Sequence, residues 1–309
     1  MARFLQWSDL HREFGNASQP VDFPMPTFDC PAGSVDGILI AGDLACGIDH
    51  VDALVEIHEA WKVPVISIRG NHEFYHNEFT SLPGRMSDAV KRAREQGHDI
   101  RVLDRESMEI AGTRLLACTL WTDFDIVGNH QDQMFGASVV INDYRKIIVS
   151  DEVRDRYLQP EDTRAMHLHD RSWLVEALRK DFDGPTVVMT HHLPVPEVLA
   201  ESAGKGPYAP AYVSDLREDV LGLKVDAWIS GHTHQARRGI VNGLHGPIAF
   251  TSNMMGYPGQ VTNFEPYRVL DSLAPELGLA QIDIEDPELS GLPSAEAVIE
   301  GLRAPVPAM

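Results

Sequence analysis

Apolar residues in this chain gather into short runs, and the first three read as buried strands: Arg3–Ser8, Asp36–Ala41 and Val63–Ile68. Between the second and third, His50–Trp61 places Val51, Leu54, Val55 and Ile57 at helical spacing. Strand, helix and strand in that order imply a right-handed crossover and a layered α/β core. Residues Arg12–Val35, rich in Pro, Gly and Asn, read as a long loop. Arg85–Gln96 reads as a helix closed by Gly97. Ile100–Leu103, Ser107–Ile110 and Arg114–Leu120 read as a meander continuing into a second sheet.

The pattern breaks over Trp121–Pro160, which reads as a partly helical insertion near the strand ends rather than a separate domain. Thr163–Phe182 is an amphipathic helix. Strands are expected at Thr186–Thr190, Val225–Ser230, around Ile240, at Ile248–Ser252 and at Leu279–Ile284. The Gly- and Pro-rich stretch Ala203–Pro210 reads as a mobile loop. One domain over residues 1–285 is therefore expected, followed by a loosely docked tail, 286–309, with a short helix at Ala295–Leu302.

The chemistry sits where these strands end. The motifs are Asp9-Leu10-His11, Gly42-Asp43, Gly70-Asn71-His72-Glu73, His191-His192 and Gly231-His232-Thr233-His234. Ligands of α/β sheets gather outside the carboxyl ends of strands. Carboxylates and imidazoles suit Mn, Fe and Zn, and no motif offers a thiolate. Asp9, His11, Asp43, Asn71, His191, His232 and His234 exceed the needs of one tetrahedral ion. They suit two ions about 3.5–4 Å apart sharing a carboxylate. Either His191 or His192 can serve as a ligand, with His191 preferred because it directly follows its strand. His167 and His169 lie on a helix at i and i+2, which do not share a face, so both are read as helix-surface residues. His76, His98 and His130 are read as exposed loop residues, with a place in the pocket wall as the alternative.

Composition narrows the substrate. The 309 residues are 43% hydrophobic and 23% charged, an ordinary globular balance. The formal charge of −20 argues against a nucleic-acid binder, nucleases included. Two divalent ions against Asp9 and Asp43 leave a local charge of about +2, enough to dock a small phosphate ester on an acidic protein. Cys30, Cys46 and Cys118 lack the paired spacing of a zinc ribbon, and their sparse, odd number fits a reducing compartment. Met1–Trp7 runs into a strand without a signal-peptide core, and no apolar run has transmembrane length. A cytoplasmic location with no membrane partner is expected.

The order Asp-x-His, Gly-Asp, Gly-Asn-His-Glu, His and Gly-His-x-His, over about residues 3–252, resembles the calcineurin-like metallophosphoesterase superfamily. The resemblance implies a four-layer α/β/β/α sandwich of two mixed sheets flanked by helices. It further implies that Asp9, His11 and His234 hold a first metal, Asn71, His191 and His232 a second, and that Asp43 bridges. His72 matches the family's unliganded His, which stabilises the transition state or protonates the leaving oxygen. The segments Trp121–Phe124 and Asn142–Arg145 resemble those of a bacterial branch of the superfamily. The Ser/Thr phosphoprotein phosphatases carry Val-Asp-Arg-Gly, but here Asp43 is followed by Leu44-Ala45-Cys46-Gly47. Without that Arg, diesters are favoured over monoesters, with attack by a metal-bound hydroxide. Arg145 is either a substitute phosphate contact or a surface ion-pair residue. A non-catalytic scaffold would have lost ligands, and none is missing.

Overall fold

The computed structural model describes residues 2–15, 22–26, 35–150, 155–199, 209–235, 238–276 and 278–280. Cys30, much of the loop before Val35, the Gly/Pro-rich stretch through residue 208, the end of the strand expected at Leu279–Ile284 and the whole tail lie outside them.

Four strands run parallel in chain order: β1 (Arg3–Trp7), β2 (Gly37–Ile40), β3 (Val65–Ile68) and β4 (Ile100–Leu103). Helix α1 (Asp49–Trp61) connects β2 to β3, and α2 (Leu82–Glu95) connects β3 to β4. The chain then changes sheets through the antiparallel hairpin β5 (Glu106–Ile110) and β6 (Thr113–Cys118). The insertion follows as α3 (His130–Val140), α4 (Asp143–Lys146) and a ribbon of β7 (Ile148–Ser150) and β8 (Asp155–Tyr157). After α5 (Pro160–Leu178) come β9 (Thr186–Thr190), α6 (Arg217–Val220), β10 (Ala227–Ser230), β11 (Gly239–Gly243) and β12 (Gly246–Ser252). The second sheet has the order β11-β12-β10-β9-β6-β5. Last, β13 (Val269–Asp271) returns to pair antiparallel with β1, completing a five-stranded first sheet.

The central strands β2, β3, β9 and β10 are buried along their length because both faces of each sheet are covered. Phe4, Leu39, Ile66 and Ile68 of the first sheet share one core with Leu115, Ala117, Val187, Met189, Ala227, Ile229 and Ala249 of the second. The alternate residues Leu5, Trp7, Ile38, Ile40 and Val65 face α1 and α2 instead. Likewise Leu116, Cys118, Val188, Trp228 and Phe250 pack with Leu174, Ala177 and Leu178 of α5. Side chains alternate between the faces of a strand, so each run serves two cores at once. The result is the expected four-layer α/β/β/α sandwich.

Local differences from the expected elements have local causes. β4 closes the first sheet beside β3, so only β5 and β6 belong to the second. α2 begins ahead of Gly84, with Pro83 in its first turn, where the missing N–H would have had no partner anyway. α5 starts at Pro160 through a reciprocal cap between Gln159 and Asp162. It stops at Leu178 rather than Phe182, where Arg114 donates to the carbonyls of Ala177 and Lys180. The strand expected from Leu279 is not formed at Leu279–Ala280, although Ile240 N–H donates to the Ala280 carbonyl at 2.9 Å. The insertion is continuous with the first core through Trp121, Phe124, Met134, Tyr144 and Ile147, and α3 packs on α5.

Candidate metal centre

Adjacent parallel strands bring their carboxyl ends to one rim, and five of those ends carry the motifs. β1 leads to Asp9 and His11, β2 to Asp43 and β3 to Asn71 and His72; across the sandwich β9 leads to His191 and β10 to His232 and His234. Asp9, His11, Asp43, His232 and His234 have φ of 54°, 47°, 55°, 76° and 55°. Left-handed backbone costs a residue with a Cβ about 1–2 kcal/mol, so five such residues at one rim mark a strained loop cluster. Backbone hydrogen bonds hold it: Asp9 N to Gly42 O at 3.1 Å, His11 N to Asp43 O at 3.0 Å and Gly231 N to His191 O at 2.9 Å. Glycine is required at two points. A Cβ on Gly42 (φ 87°) would come within 2.6 Å of His191 Nδ1, and one on Gly70 would strike Asp43 Oδ1 and the His191 ring.

All seven expected ligands converge. Asp9, His11 and His234 form one potential metal-binding group, and Asp43, His191 and His232 another; His11, Asp43 and His72 form a third that links them. Asp43 Oδ2 lies 3.4 Å from His191 Nε2 and 3.8 Å from His11 Nε2, so its carboxylate stands between the groups. Asn71 Oδ1 is 3.0 Å from His191 Nε2 and 3.1 Å from His232 Nδ1.

A second layer of contacts decides which atoms face inward. His191 Nδ1 donates to the Ala41 carbonyl (2.7 Å), His234 Nδ1 to Gln260 Oε1 (2.6 Å) and His11 Nδ1 to Glu13 Oε1 (3.0 Å). Asn71 Nδ2 donates to Asp143 Oδ1 at 2.8 Å, which turns Oδ1 of the same amide toward the centre. Such outer partners fix the tautomer and orientation of metal ligands. Their consequence is that lone pairs meet lone pairs. His11 Nε2 and His234 Nε2 face each other at 2.9 Å although both Nδ1 atoms already carry the donated proton. His191 Nε2 likewise faces the oxygens of Asn71 and Asp43. A set of acceptors closing on one space is stabilised by a cation, so the donor set fits divalent metal.

The charge balance agrees. Burial opposes ionisation of Asp43, yet the His191 and His72 imidazoles hold its carboxyl well below the usual carboxylate range. Burial also opposes protonation of His191, but Asp43 raises it to about 10. A proton held on His191 occupies, in effect, the place of the positive charge that a metal supplies. Burial, aided by its His192 and His191 neighbours, pushes His232 well down.

His72 stands beside these groups with both ring nitrogens engaged. Nδ1 meets Glu13 Oε1 at 2.8 Å, and Nε2 meets the Tyr257 hydroxyl at 3.2 Å. Burial works against its protonation, but Asp43 and Glu13 raise its pKa. His191 rather than His192 enters the cluster. The His192 ring packs on His232 at 4.1 Å, and its Nδ1 has no hydrogen-bond partner.

One expectation, that of His167, is corrected, and Arg145 has the surface setting that was one of its two readings. Arg145 is exposed, and its guanidinium hydrogen-bonds Val140 O (2.8 Å) and Asn142 Oδ1 (3.3 Å), which caps the end of α3; neither bond reaches the centre. His167 is buried, not on the helix surface, because Thr163, His167, Asp170 and Leu174 form the inward stripe of α5, and its Nδ1 meets Leu120 O at 2.9 Å. His169 is exposed as expected. Sequence reasoning missed Glu13, His50, Asp143, Tyr257 and Gln260, and gave no role to Glu73. Glu73 accepts from Asp43 N (3.1 Å), Leu44 N (2.8 Å), Gly70 N (2.6 Å) and His50 Nδ1 (2.9 Å).

A protein-family model described as calcineurin-like phosphoesterase matches residues 2–236, and the chain belongs to that family. An uncharacterised protein of Acanthamoeba polyphaga mimivirus is 25% identical over 220 residues, covering 67% of this chain and 73% of that one. The solved phosphopantetheinyl hydrolase of Mycobacterium tuberculosis has a TM-score of 0.53 at 16% identity, over 83% of this chain and 90% of that one, and is similar in fold. A solved Thermus thermophilus protein gives a TM-score of 0.43 at 10% identity, over 89% of this chain and 96% of that one.

Glu73→Ala should leave four buried donors without an acceptor, each costing roughly 1–3 kcal/mol. Urea unfolding is expected to show a loss above about 3 kcal/mol, with Glu73→Gln losing less because its amide oxygen still accepts. A loss below about 1 kcal/mol for the alanine variant would show that this carboxylate does not tie the loops together.

Proposed function

We propose that the chain hydrolyses small phosphate esters, diesters in preference to monoesters, with two metal ions of the Mn, Fe or Zn type. The observation that carries this reading is the opposed pair of His11 and His234 lone pairs, 2.9 Å apart, with Asp43 between that group and the next. Asp9, His11 and His234 would hold one ion, Asn71, His191 and His232 the other, with Asp43 shared. Bound divalent ions supply Lewis-acid charge neutralisation and an activated water near neutral pH.

The chain's own residues do the rest. Glu13 takes the Nδ1–H of His72 and orients the ring, so that a proton at Nε2 is available to a departing oxygen. Tyr75 stacks on the His72 ring at 4.1 Å and donates its hydroxyl to Asp143 at 2.7 Å, so one carboxylate positions both this ring and Asn71. The preference for diesters is supported by charge. Among the described residues, no hydrogen bond traced above joins any of the seven ligands directly to an Arg or Lys, and Leu44-Ala45-Cys46-Gly47, with Cys46 half-buried, stands where the phosphoprotein phosphatases carry their Val-Asp-Arg-Gly run. A dianion would find one countercharge fewer than it needs.

Among the described residues no helix is long and apolar enough to cross a membrane. The free thiols Cys46 and Cys118 support a reducing, cytoplasmic setting.

Elemental analysis of protein stripped and reloaded with Mn or Zn should approach two equivalents per chain, with activity lost to chelators. A clean single equivalent removes the shared role of Asp43. With matched leaving groups, bis(p-nitrophenyl) phosphate should give a higher kcat/KM than p-nitrophenyl phosphate. The reverse order by tenfold or more would favour a phosphatase.

His72→Ala should keep both ions and lower kcat by roughly 10²–10⁴-fold, the range of general acid–base catalysis. The loss should be greater on an alkyl ester than on a nitrophenyl ester, because a phenolate leaves without needing a proton. Equal losses would assign His72 to charge stabilisation, and loss of a metal would make it a ligand.

A further inference from the structure

Aromatic rings gather around His72. Tyr257 directs its hydroxyl at His72 Nε2, and its ring lies 4.5 Å from His11 and 4.3 Å from His234. Phe14 packs edge-on against Tyr257, with centroids 5.0 Å apart and planes at 71°, and lies 6.2 Å from His72. Phe14 is 48% exposed, whereas Tyr257 is half-buried and His72 is buried. Two rings at a steep angle, one of them open to solvent, make a corner beside the imidazole nitrogen that faces a leaving oxygen.

Both walls are fixed in place. Phe14 belongs to the single helical turn Arg12–Phe14, whose Glu13 is anchored to His11 and His72. Tyr257 is held from both sides: Met255 N donates to Ser8 O (3.0 Å), Gly256 N to Asp9 O (2.9 Å) and Tyr257 N to Gln260 Oε1 (2.7 Å). This segment lies beyond residues 2–236, the part that matches the family model. Its attachment to Asp9 and, through Gln260, to His234 couples the wall directly to the centre.

We propose that Phe14 and Tyr257 form the leaving-group subsite, and that the substrate is a phosphate ester whose leaving alcohol carries an uncharged aromatic ring. The proposal rests on the phosphoesterase reading above and deepens it. On that reading the group attached to the leaving oxygen extends past His72 Nε2, where the Tyr257 hydroxyl and ring and then Phe14 stand. Aromatic rings are best matched by another ring at an offset or edge-on, the arrangement Phe14 and Tyr257 already make with each other. Glu13, bonded to both His11 and His72 beside Phe14, repels a second anionic group at this position.

The test is internal competition on benzyl methyl phosphate, a diester whose two leaving alcohols are of nearly equal acidity. Metal-loaded protein should release benzyl alcohol over methanol by about tenfold, equivalent to about 1.4 kcal/mol of discrimination. Phe14→Leu, which keeps apolar bulk but not the ring, and Phe14→Ala should both move the product ratio toward one. The ratio is independent of total activity, folding and metal occupancy. A ratio near one in the unaltered protein, or one unmoved in both variants, overturns the subsite. If the protein cleaves neither bond, the reading of the reaction fails, and binding of non-hydrolysable analogues to metal-loaded protein decides the subsite separately. Phenylphosphonate should then bind about tenfold more tightly than methylphosphonate, with the difference lost in Phe14→Ala. Equal affinities overturn the proposal.

Discussion

The buried carboxylate of Glu73 is the constraint on which the rest of the centre depends. It gathers backbone N–H groups from the turn after β2 and the turn after β3, and binds His50 of α1, whose Nε2 reaches Ser67 Oγ at 2.6 Å. Without an acceptor at this point, the turns carrying Asp43 and Asn71 would hold three N–H donors and an imidazole away from water with nothing to receive them. With it, the two turns are locked at the separation that places Asp43 Oδ1 2.9 Å from the His72 N–H. The left-handed residues at Asp9, His11, Asp43, His232 and His234 are tolerable because neighbouring turns over-determine them in this way.

Much of this was legible in the sequence, for a physical reason. Strands buried on both faces leave continuous apolar runs, and ligands at their carboxyl ends leave short motifs immediately after the runs. Those two signals located β1, β2, β3, β9 and β10 together with all seven converging residues. The runs themselves implied a layered α/β core, and its four layers came only with the resemblance that the motifs carry. What the sequence hid was everything supplied from a distance. Asp143 orients Asn71 across 72 positions, and Gln260 reaches His234 across 26. No periodicity or spacing announces such pairs.

Asp143 and Arg145 show how one segment can offer two neighbours of opposite charge. The segment Asn142–Arg145 does contribute to the centre, but through Asp143 two residues earlier. A search for phosphate contacts favours a cation, whereas the fold needed an anion to turn one amide. Burial raises the Asp143 pKa while the Asn71 and Tyr75 hydrogen bonds favour its ionised form. The boundary of α2 was missed by a related logic: Pro83 and Gly84 look like breakers when read alone, but Pro in a first turn forfeits nothing.

The protein's overall charge and its centre point in opposite directions, and their combination restricts chemistry more than either does alone. A chain of net −20 offers an anionic substrate no long-range attraction, so affinity must come from within contact distance of the strand ends. Carboxylates are also placed close to the ligand cluster, Glu13 on His72 and Asp143 behind Asn71. On the proposed reading, positive charge gathers in the space that Asp43 and the six other ligand residues, Asp9, His11, Asn71, His191, His232 and His234, enclose. A substrate suited to that distribution keeps its own charge small and compact at phosphorus. On the proposed reading, the rest of its bulk is uncharged and rests against Phe14 and Tyr257.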